Sequence, residues 1–170
     1  LSIIGFAGLN VVENTGDSIE VIISRTARGS DKKEANENAR AIEYKYVQNG
    51  REINFDEIFH VLEGSKFRTQ EVDIKIKLPR GKVIYFDKSV KYLLDDVDNV
   101  TNTWDGDMIS RRWIMTGRGL QCIDCDNLDN IRHGDSDDDD REIRTKNNKI
   151  IINGDGINVD GEDTEIQINE

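Results

Sequence analysis

The sequence predicts a mostly β chain, folded as a layered or coiled sheet, and three observations support this. The stretch EVDIKIKLPRGKVIYFD, residues 71–87, alternates strictly over its first half. In a strand, that period of two places the apolar side chains on one face and the charged ones on the other. Hydrophobic residues make up 36% of the chain and charged residues 34%. That composition is low in apolar residues for a compact globule and favours thin sheets buried on one side.

The third observation is a hairpin signal around Asn49-Gly50. Two alternating runs, 42–47 and 51–55, flank this dipeptide. Asn-Gly accepts the positive φ angles of a two-residue type I′ turn, so a tight hairpin is predicted here. Ile42, Tyr44 and Tyr46 are expected to share one face of the first strand, and Ile53 and Phe55 one face of the second.

The elements before the hairpin follow from local patterns. Residues 1–13 indicate a short apolar strand or lead-in, 14–17 a turn, and 19–24 a strand. Asp31 and Glu34 have capping-box spacing, and Ala35, Ala39 and Ile42 follow at helical intervals. One surface α-helix near residues 31–41 is therefore predicted, lying flat on a sheet.

After the hairpin, a less regular segment at 58–68 leads into the strand at 71–78. Pro79 ends that strand because it has no N–H to donate, and Gly81 releases the chain into a second strand at 82–86. The strand pattern continues through Val90, Tyr92 and Leu94 to a polar connector at 95–107. Two further strands are predicted at 112–115 and 119–123.

The last third of the chain differs in charge. Residues 1–123 carry 18 basic and 19 acidic side chains, net −1, whereas residues 124–170 carry 5 and 15, net −10. Residues 135–140 include a run of aspartates that cannot be buried, which indicates a mobile link. Three short isoleucine-rich rungs follow, at 150–152, 157–159 and 166–168. We predict a β domain over 1–125, an acidic flexible linker over 126–148, and short repeated β-rungs over 149–170, incomplete at the C-terminus.

This charge distribution excludes some partners. An acidic surface repels phosphate, and no basic stripe interleaved with aromatic residues is present, so nucleic-acid binding and direct adsorption to anionic lipid are not expected. The sequence contains no apolar run long enough to span a membrane and no signal-peptide pattern. The chain is expected to be part of a longer protein, with any membrane contact made by segments outside it.

Several of these features together resemble a known family. They are the hairpin, the lead-in EGSKFR at 63–68, the 71–87 stretch, and the ending from Arg112-Trp113-Ile114-Met115 to Cys122-Ile123-Asp124-Cys125. The combination resembles the C-terminal toastrack, or adhesin-like β, region of PspC-domain (phage shock protein C-like) proteins of Bacteroidetes-type bacteria, over residues 15–125. The resemblance implies a single-stranded β-helix, a solenoid-like stack. A β-sandwich is the alternative that the same alternation supports.

The candidate site residues are few. Cys122 and Cys125 have the spacing of a redox or half-zinc site, but no second cysteine pair accompanies them and the chain has only two histidines. A structural pair, free or disulfide-bonded, is favoured. The aspartate run lacks the order of an EF-hand loop, so a solvated linker is favoured over a defined calcium site. We therefore predict no metal, no cofactor and no catalytic residues.

Two tryptophans allow different interpretations. Trp113 lies inside an apolar strand and is predicted to be in the core, whereas Trp104, in the polar connector, is the candidate partner contact.

The rungs at 149–170 are each too short to fold alone, which favours pairing with the body or self-association with another chain.

The resemblance implies a non-enzymatic binding or signalling module. It would belong to an envelope stress-response protein tethered to the inner membrane, and which side of the membrane it occupies stays open. The alternatives are a surface-exposed structural or adhesin-like domain and, third, a redox protein that uses the cysteine pair. A protein partner is expected in the first case.

Overall fold

A computed structural model describes residues 3–125, 148–153, 157–163 and 166–168, and it confirms a mostly β chain. The strands of the first half are β1 Ile3–Phe6, β2 Gly8–Asn14, β3 Ile19–Gly29, β4 Ile42–Glu43, β5 Tyr46–Asn49, β6 Glu52–Phe55 and β7 Ile58–Val61. Those of the second half are β8 Glu71–Pro79, β9 Val83–Phe86, β10 Arg111–Thr116, β11 Gly119–Cys122, β12 Asn148–Asn153, β13 Ile157–Asp163 and β14 Ile166–Ile168. The helices are α1 Lys32–Arg40, a 3-10 turn Lys88–Val90 and α2 Asp105–Met108.

The described strands form three separate sheets. Their orders are β1-β7-β4, β11-β10-β9-β12-β6-β5, and β13-β3-β8-β2, with β14 also pairing with β3. All three sheets contribute buried residues to one hydrophobic cluster. This arrangement is consistent with the sandwich alternative. Within the described residues the strands do not follow one another as a continuous parallel coil, because most neighbouring pairs are antiparallel.

The alternating stretch forms β8, the interior strand between β2 and β3, as its pattern predicts. Its four apolar side chains are buried with at most 1% exposure, while Asp73 and Lys75 are exposed. Strand β2 runs parallel to β8 and strand β3 antiparallel to it. Pro79 ends the strand, and Gly81 has a φ of 82° in the following turn. Neighbour β3 extends five residues beyond its predicted end at Ser24.

The predicted helix is confirmed as α1. The Asp31 carboxylate accepts a hydrogen bond from the Glu34 N–H at 2.8 Å, which satisfies one of the free donors of the first turn. Ala35 and Ala39 are fully buried against β3. At Gly29 of β3 a Cβ would lie 2.3 Å from the Ala35 nitrogen, so this contact requires glycine.

The hairpin is confirmed, but its predicted turn is wrong. The structure pairs Asn49 with Glu52, so Gly50 and Arg51 are the two loop residues, rather than Asn49 and Gly50. Gly50 has a φ of 62°, whereas the φ of Arg51 is not positive. A positive φ at the first loop residue only is the pattern of a type II′ turn, since type I′ requires it at both. Asn49 therefore ends a strand.

The first hairpin strand is also shorter than predicted. Ile42 and Glu43 form β4 and pair with β7 in a different sheet, whereas only Tyr46 onwards pairs with β6. The break lies at Tyr44, whose buried hydroxyl donates to the Asp56 carbonyl oxygen at 2.7 Å. Burial, together with the nearby Asp56 carboxylate, raises the pKa of the Tyr44 phenol well above its usual range. Tyr46, predicted to share the inner face, is instead partly exposed.

One smaller prediction is also wrong. Residues 88–94 do not continue the strand pattern, because the Asp87 carboxylate accepts the Ser89 N–H at 3.0 Å and begins a 3-10 turn. A single helical turn, α2, follows within the connector, and α1 is the longer helix that the sequence predicts. The predicted acidic linker lies outside the described residues except for Asn148, which begins β12.

Candidate functional site: the Trp104 loop and the cysteine pair

Trp104 lies at the surface, where the polar connector enters α2. Its side chain is 66% exposed, the same fraction as Phe67 and the highest among the large apolar residues of the described part of the chain. Its ring lies against Gly106, where a Cβ would approach ring atom Cζ3 to 3.1 Å. The missing side chain at Gly106 thus lets the indole rest on the backbone of its own loop.

Asp105 fixes the loop immediately after Trp104. Its carboxylate accepts hydrogen bonds from the backbone N–H groups of Asp96, at 2.7 Å, and Val97, at 2.9 Å. These two bonds connect the far ends of the connector. The segment between them is therefore closed into a compact loop.

Asn99 fixes the loop before Trp104. Its side-chain N–H groups donate to the carbonyl oxygens of Val97, at 3.1 Å, and Thr103, at 2.8 Å, and its side-chain oxygen accepts the Thr103 N–H at 2.7 Å. A single amide thus satisfies three backbone groups. Trp104 is held between two fixed neighbours, so binding through its ring would lose little backbone entropy.

The end of the loop is anchored in the core. Met108 is fully buried, and its carbonyl oxygen accepts the indole N–H of Trp113 at 2.9 Å. Trp113 is itself fully buried, which confirms it as a core residue. The Trp104 loop, defined as residues 95–108, is therefore a surface element attached to the interior at its base.

Cys122 and Cys125 form a disulfide, with Cα atoms 5.7 Å apart. Cys122 ends β11 opposite Trp113, and both cysteines are partly buried and pack on the edge of the core. Of the two states left open by the sequence, the structure has the bonded one. A thiolate is needed for nucleophilic or zinc-binding chemistry, and the bonded sulfurs do not supply one.

Asp124 lies between the two cysteines in sequence and is bound by Arg112. Its carboxylate accepts the Arg112 backbone N–H at 2.9 Å and the guanidinium Nε–H at 3.2 Å. Partial burial alone would raise the pKa of Asp124, but these hydrogen bonds and the Arg112 charge outweigh it and lower the pKa. The Asp124 carboxylate lies within 4.8 Å of both sulfurs, but the sulfurs are bonded to each other and supply no thiolate ligand to complete a metal site with it.

A groove of about 620 Å³ on the outer face of the β2-β8-β3 sheet was missed by sequence reasoning. Its charged lining residues are Asp73, Lys75, Lys77 and Asp95. Gly8 is required beneath Asp95, because a Cβ there would lie 2.9 Å from the carboxylate oxygen Oδ2. Alternation along β8 indicates that three of these charges face outward, but only folding brings Asp95 from a distant turn to join them.

His60 and the cysteine pair lie in different sheets. His60 lies exposed on β7, in the three-stranded sheet, whereas the cysteine pair ends a strand of the six-stranded sheet. Nucleophilic catalysis needs a base within hydrogen-bond reach of the nucleophile, and in the described part of the chain His60 makes no hydrogen bond to a serine or cysteine. The features that remain as candidate sites are two surfaces, the Trp104 loop and the groove on the β2-β8-β3 sheet.

Comparison with known proteins agrees with this class of protein, a β-rich module with surface loops. Residues 8–128 match the family described as ToastRack found in some PspC, which is more than half of the chain. The chain therefore belongs to the PspC-associated ToastRack family, as the sequence resemblance implies. Neither a curated protein nor a solved structure matches it. Among the described residues, none of the helices is long and apolar enough to cross a lipid bilayer.

Proposed function

We propose that this chain is a non-enzymatic protein-binding module of a membrane-linked, PspC-type envelope protein and that it acts in the envelope stress response. The family membership supports the association with PspC. The exposed Trp104, presented on a loop fixed by Asp105 and Asn99, supports protein binding. A large aromatic side chain held in place at a surface is the usual form of an interface hot spot.

The partner is proposed to contact the ring face of Trp104 and the rim of its loop. Asp105 and Asn99 have their polar groups turned into the loop, whereas Asp96, Asp98 and Asn102 are exposed in the same loop and give it a polar rim. An apolar pocket of the partner, closing over the indole, fits this surface.

A photo-crosslinking experiment with a matched control tests this proposal. A photoreactive phenylalanine analogue is placed at position 104 or at position 67, in the full-length membrane protein in its host. Phe67 is 66% exposed, like Trp104, but lies in a separate segment before β8. We expect a discrete crosslinked species from position 104 and none from position 67. Equal crosslinking at both positions, or none at either, contradicts the proposal.

A second measurement separates signalling from a purely structural or adhesin-like role. Trp104→Ala should abolish induction of an envelope-stress reporter at unchanged protein level, whereas Phe67→Ala should leave it intact. If both variants induce the reporter like the wild type, the module has no regulatory role and the structural alternative is favoured.

We further propose that the module lies on the oxidising side of the inner membrane. Disulfides form and persist in oxidising compartments and are rare in the cytosol, and the Cys122–Cys125 bond supports this placement. In cells quenched with acid and treated with an alkylating reagent, both cysteines should remain unmodified until a reductant is added. Complete alkylation without reductant would place the pair in a reducing compartment.

A further inference from the structure

The six-stranded sheet contains one strand from beyond the family-matched region. Strand β12, residues 148–153, lies between β9 and β6, which do not pair with each other. Four residues of β12 are in register with each neighbour, both antiparallel. The family match ends at residue 128, so residues of the family region build both walls of this slot and a later segment fills it.

The slot fits a strand whose apolar side chains occur at every second position. Ile150 lies between Ile53 of β6 and Phe86 of β9, and all three side chains are fully buried. Ile152 is also fully buried and pairs with Ile84. A strand with β-branched residues at every second position therefore fits the inner face of the slot.

Polar contacts fix the register of the occupant. The Lys149 ammonium lies 3.2 Å from a Glu52 carboxylate oxygen, and its backbone N–H donates to the Ser89 hydroxyl at 2.9 Å. At the other end, the Ile152 N–H donates to the Arg51 carbonyl oxygen at 2.9 Å. A slip of one residue would break these bonds and turn the isoleucines outward.

The same segment continues onto another sheet. Strands β13 and β14 pair in parallel with β3, along residues 19–29. The described strands of this segment, β12, β13 and β14, therefore pair with two sheets through their backbones. The segment is joined to Cys125 through 22 residues, 126–147, and a chain of that length reaches at most about 75 Å.

We propose that the slot between β6 and β9 is a strand-acceptor site for the C-terminal segment of a second copy of this chain, so that two chains exchange residues 148–168 in a reciprocal dimer. The contacts in the exchanged dimer are the same as those within one chain, which makes exchange of an identical element a low-cost route to dimers. The chain's own segment competes at an effective concentration on the order of millimolar. The exchanged dimer should therefore increase as the protein concentration approaches that value.

Cysteine trapping across the slot tests the exchange. Glu52 of β6 and Ile151 of β12 are directly opposite each other, so cysteines at these positions can be bridged. The chains Glu52→Cys and Ile151→Cys are mixed, unfolded in urea without reductant, refolded at about 10 μM to about 1 mM, and oxidised. We expect a crosslinked dimer that joins positions 52 and 151 and whose yield rises at least tenfold over that range. Mass spectrometry of the linked peptide distinguishes this bond from exchange with Cys122 and Cys125.

Two controls make the outcome decisive. The double variant Glu52→Cys/Ile151→Cys should crosslink within one chain at low concentration, and failure to do so would overturn the pairing on which the proposal rests. The mixture of Glu37→Cys with Ile151→Cys measures random collision, because Glu37 is exposed on α1. If the 52–151 dimer does not exceed this background at any concentration, exchange between chains does not occur.

Discussion

Strands β8 and β12 are both interior strands of a sheet, but only β8 lies within the family-matched region of the chain. Strand β8 pairs with β2 and β3, inside the family-matched region. Strand β12 comes from beyond that region and separates β9 from β6. Even so, Ile150 and Ile152 are buried as completely as Ile74 and Ile76. The family-matched region by itself therefore leaves part of its core to be covered by a later segment.

The largest expected effect comes from removing β12 with the two strands that follow. A chain ending at Asn147 would expose the edges of β6 and β9 and uncover Ile53, Ile84 and Phe86. Unpaired edges and apolar side chains in water favour aggregation. We expect loss of the cooperative thermal transition and high-molecular-weight species in size-exclusion chromatography. A monomer that melts like the full chain would mean that β12 contributes nothing to the core.

The next effect compares single side chains in the two strands. Ile76→Ala in β8 and Ile152→Ala in β12 should each lower the free energy of unfolding by about 2–5 kcal/mol, from lost burial and a residual cavity. Lys75→Ala, on the outer face of β8, is the control and should stay within about 0.5 kcal/mol. Urea denaturation measures all three. A cost at Ile152 below about 1 kcal/mol, with the full cost at Ile76, would show that β12 is only loosely attached.

A smaller effect concerns the hairpin that forms one wall around β12. Gly50→Val places a β-branched residue at a φ of 62°, which should cost about 1–2 kcal/mol. No atom lies within 4 Å of a Cβ built at Gly50, so the cost would come from the backbone alone. Asn49→Val is the matched control and should cost much less, because Asn49 ends a strand. Equal losses of unfolding free energy for the two variants in urea denaturation would show that Asn49 is a turn residue. The register of β6 against β12 would then be different.

The smallest expected effect concerns the other edge of the same sheet. The pKa of Asp124 is lowered by its hydrogen bonds to Arg112 in the folded chain, so this interaction stabilises the fold above the ordinary carboxyl pKa and is lost as the pH falls through the lowered value. Asp124→Asn should cost less than about 1 kcal/mol at neutral pH, because both side chains are at least a third exposed. The difference from wild type should vanish in strong acid. A cost that stays constant with pH in urea denaturation would show that charge is not involved.

The sequence predicted the elements whose cause is local. The alternation of β8, the capped helix with Ala35 and Ala39 on its inner face, and the buried Trp113 are all confirmed. Each depends on residues within a few positions of one another, where periodicity and capping act. The family resemblance is confirmed as well, over residues 8–128. The role of Trp104 stays a prediction, although the structure shows that it is exposed.

The errors occurred where distant segments compete for the same residues. In the predicted run at 42–47, Ile42, Tyr44 and Tyr46 alternate with charged residues, but Ile42 pairs with β7 and Tyr46 with β6, so the run is divided between two sheets. At 88–94 a side-chain cap from Asp87 ends the strand before the apolar pattern does. A hydrophobic period of two residues specifies a strand and its two faces, but it does not specify which strand pairs with it.

By itself, then, the sequence determined the class of fold, the faces of the strands and the family, because these depend on composition, short-range period and a recognisable order of segments. Only the folded chain shows which strands are neighbours, that Asp95 lines the same groove as Asp73 and Lys75, and that β12 completes the six-stranded sheet. The physical reason is that strand pairing is made through backbone groups that every residue carries. Which strands pair is decided by the burial of their apolar side chains, such as Ile150 and Ile152, which are fully covered in the observed pairing.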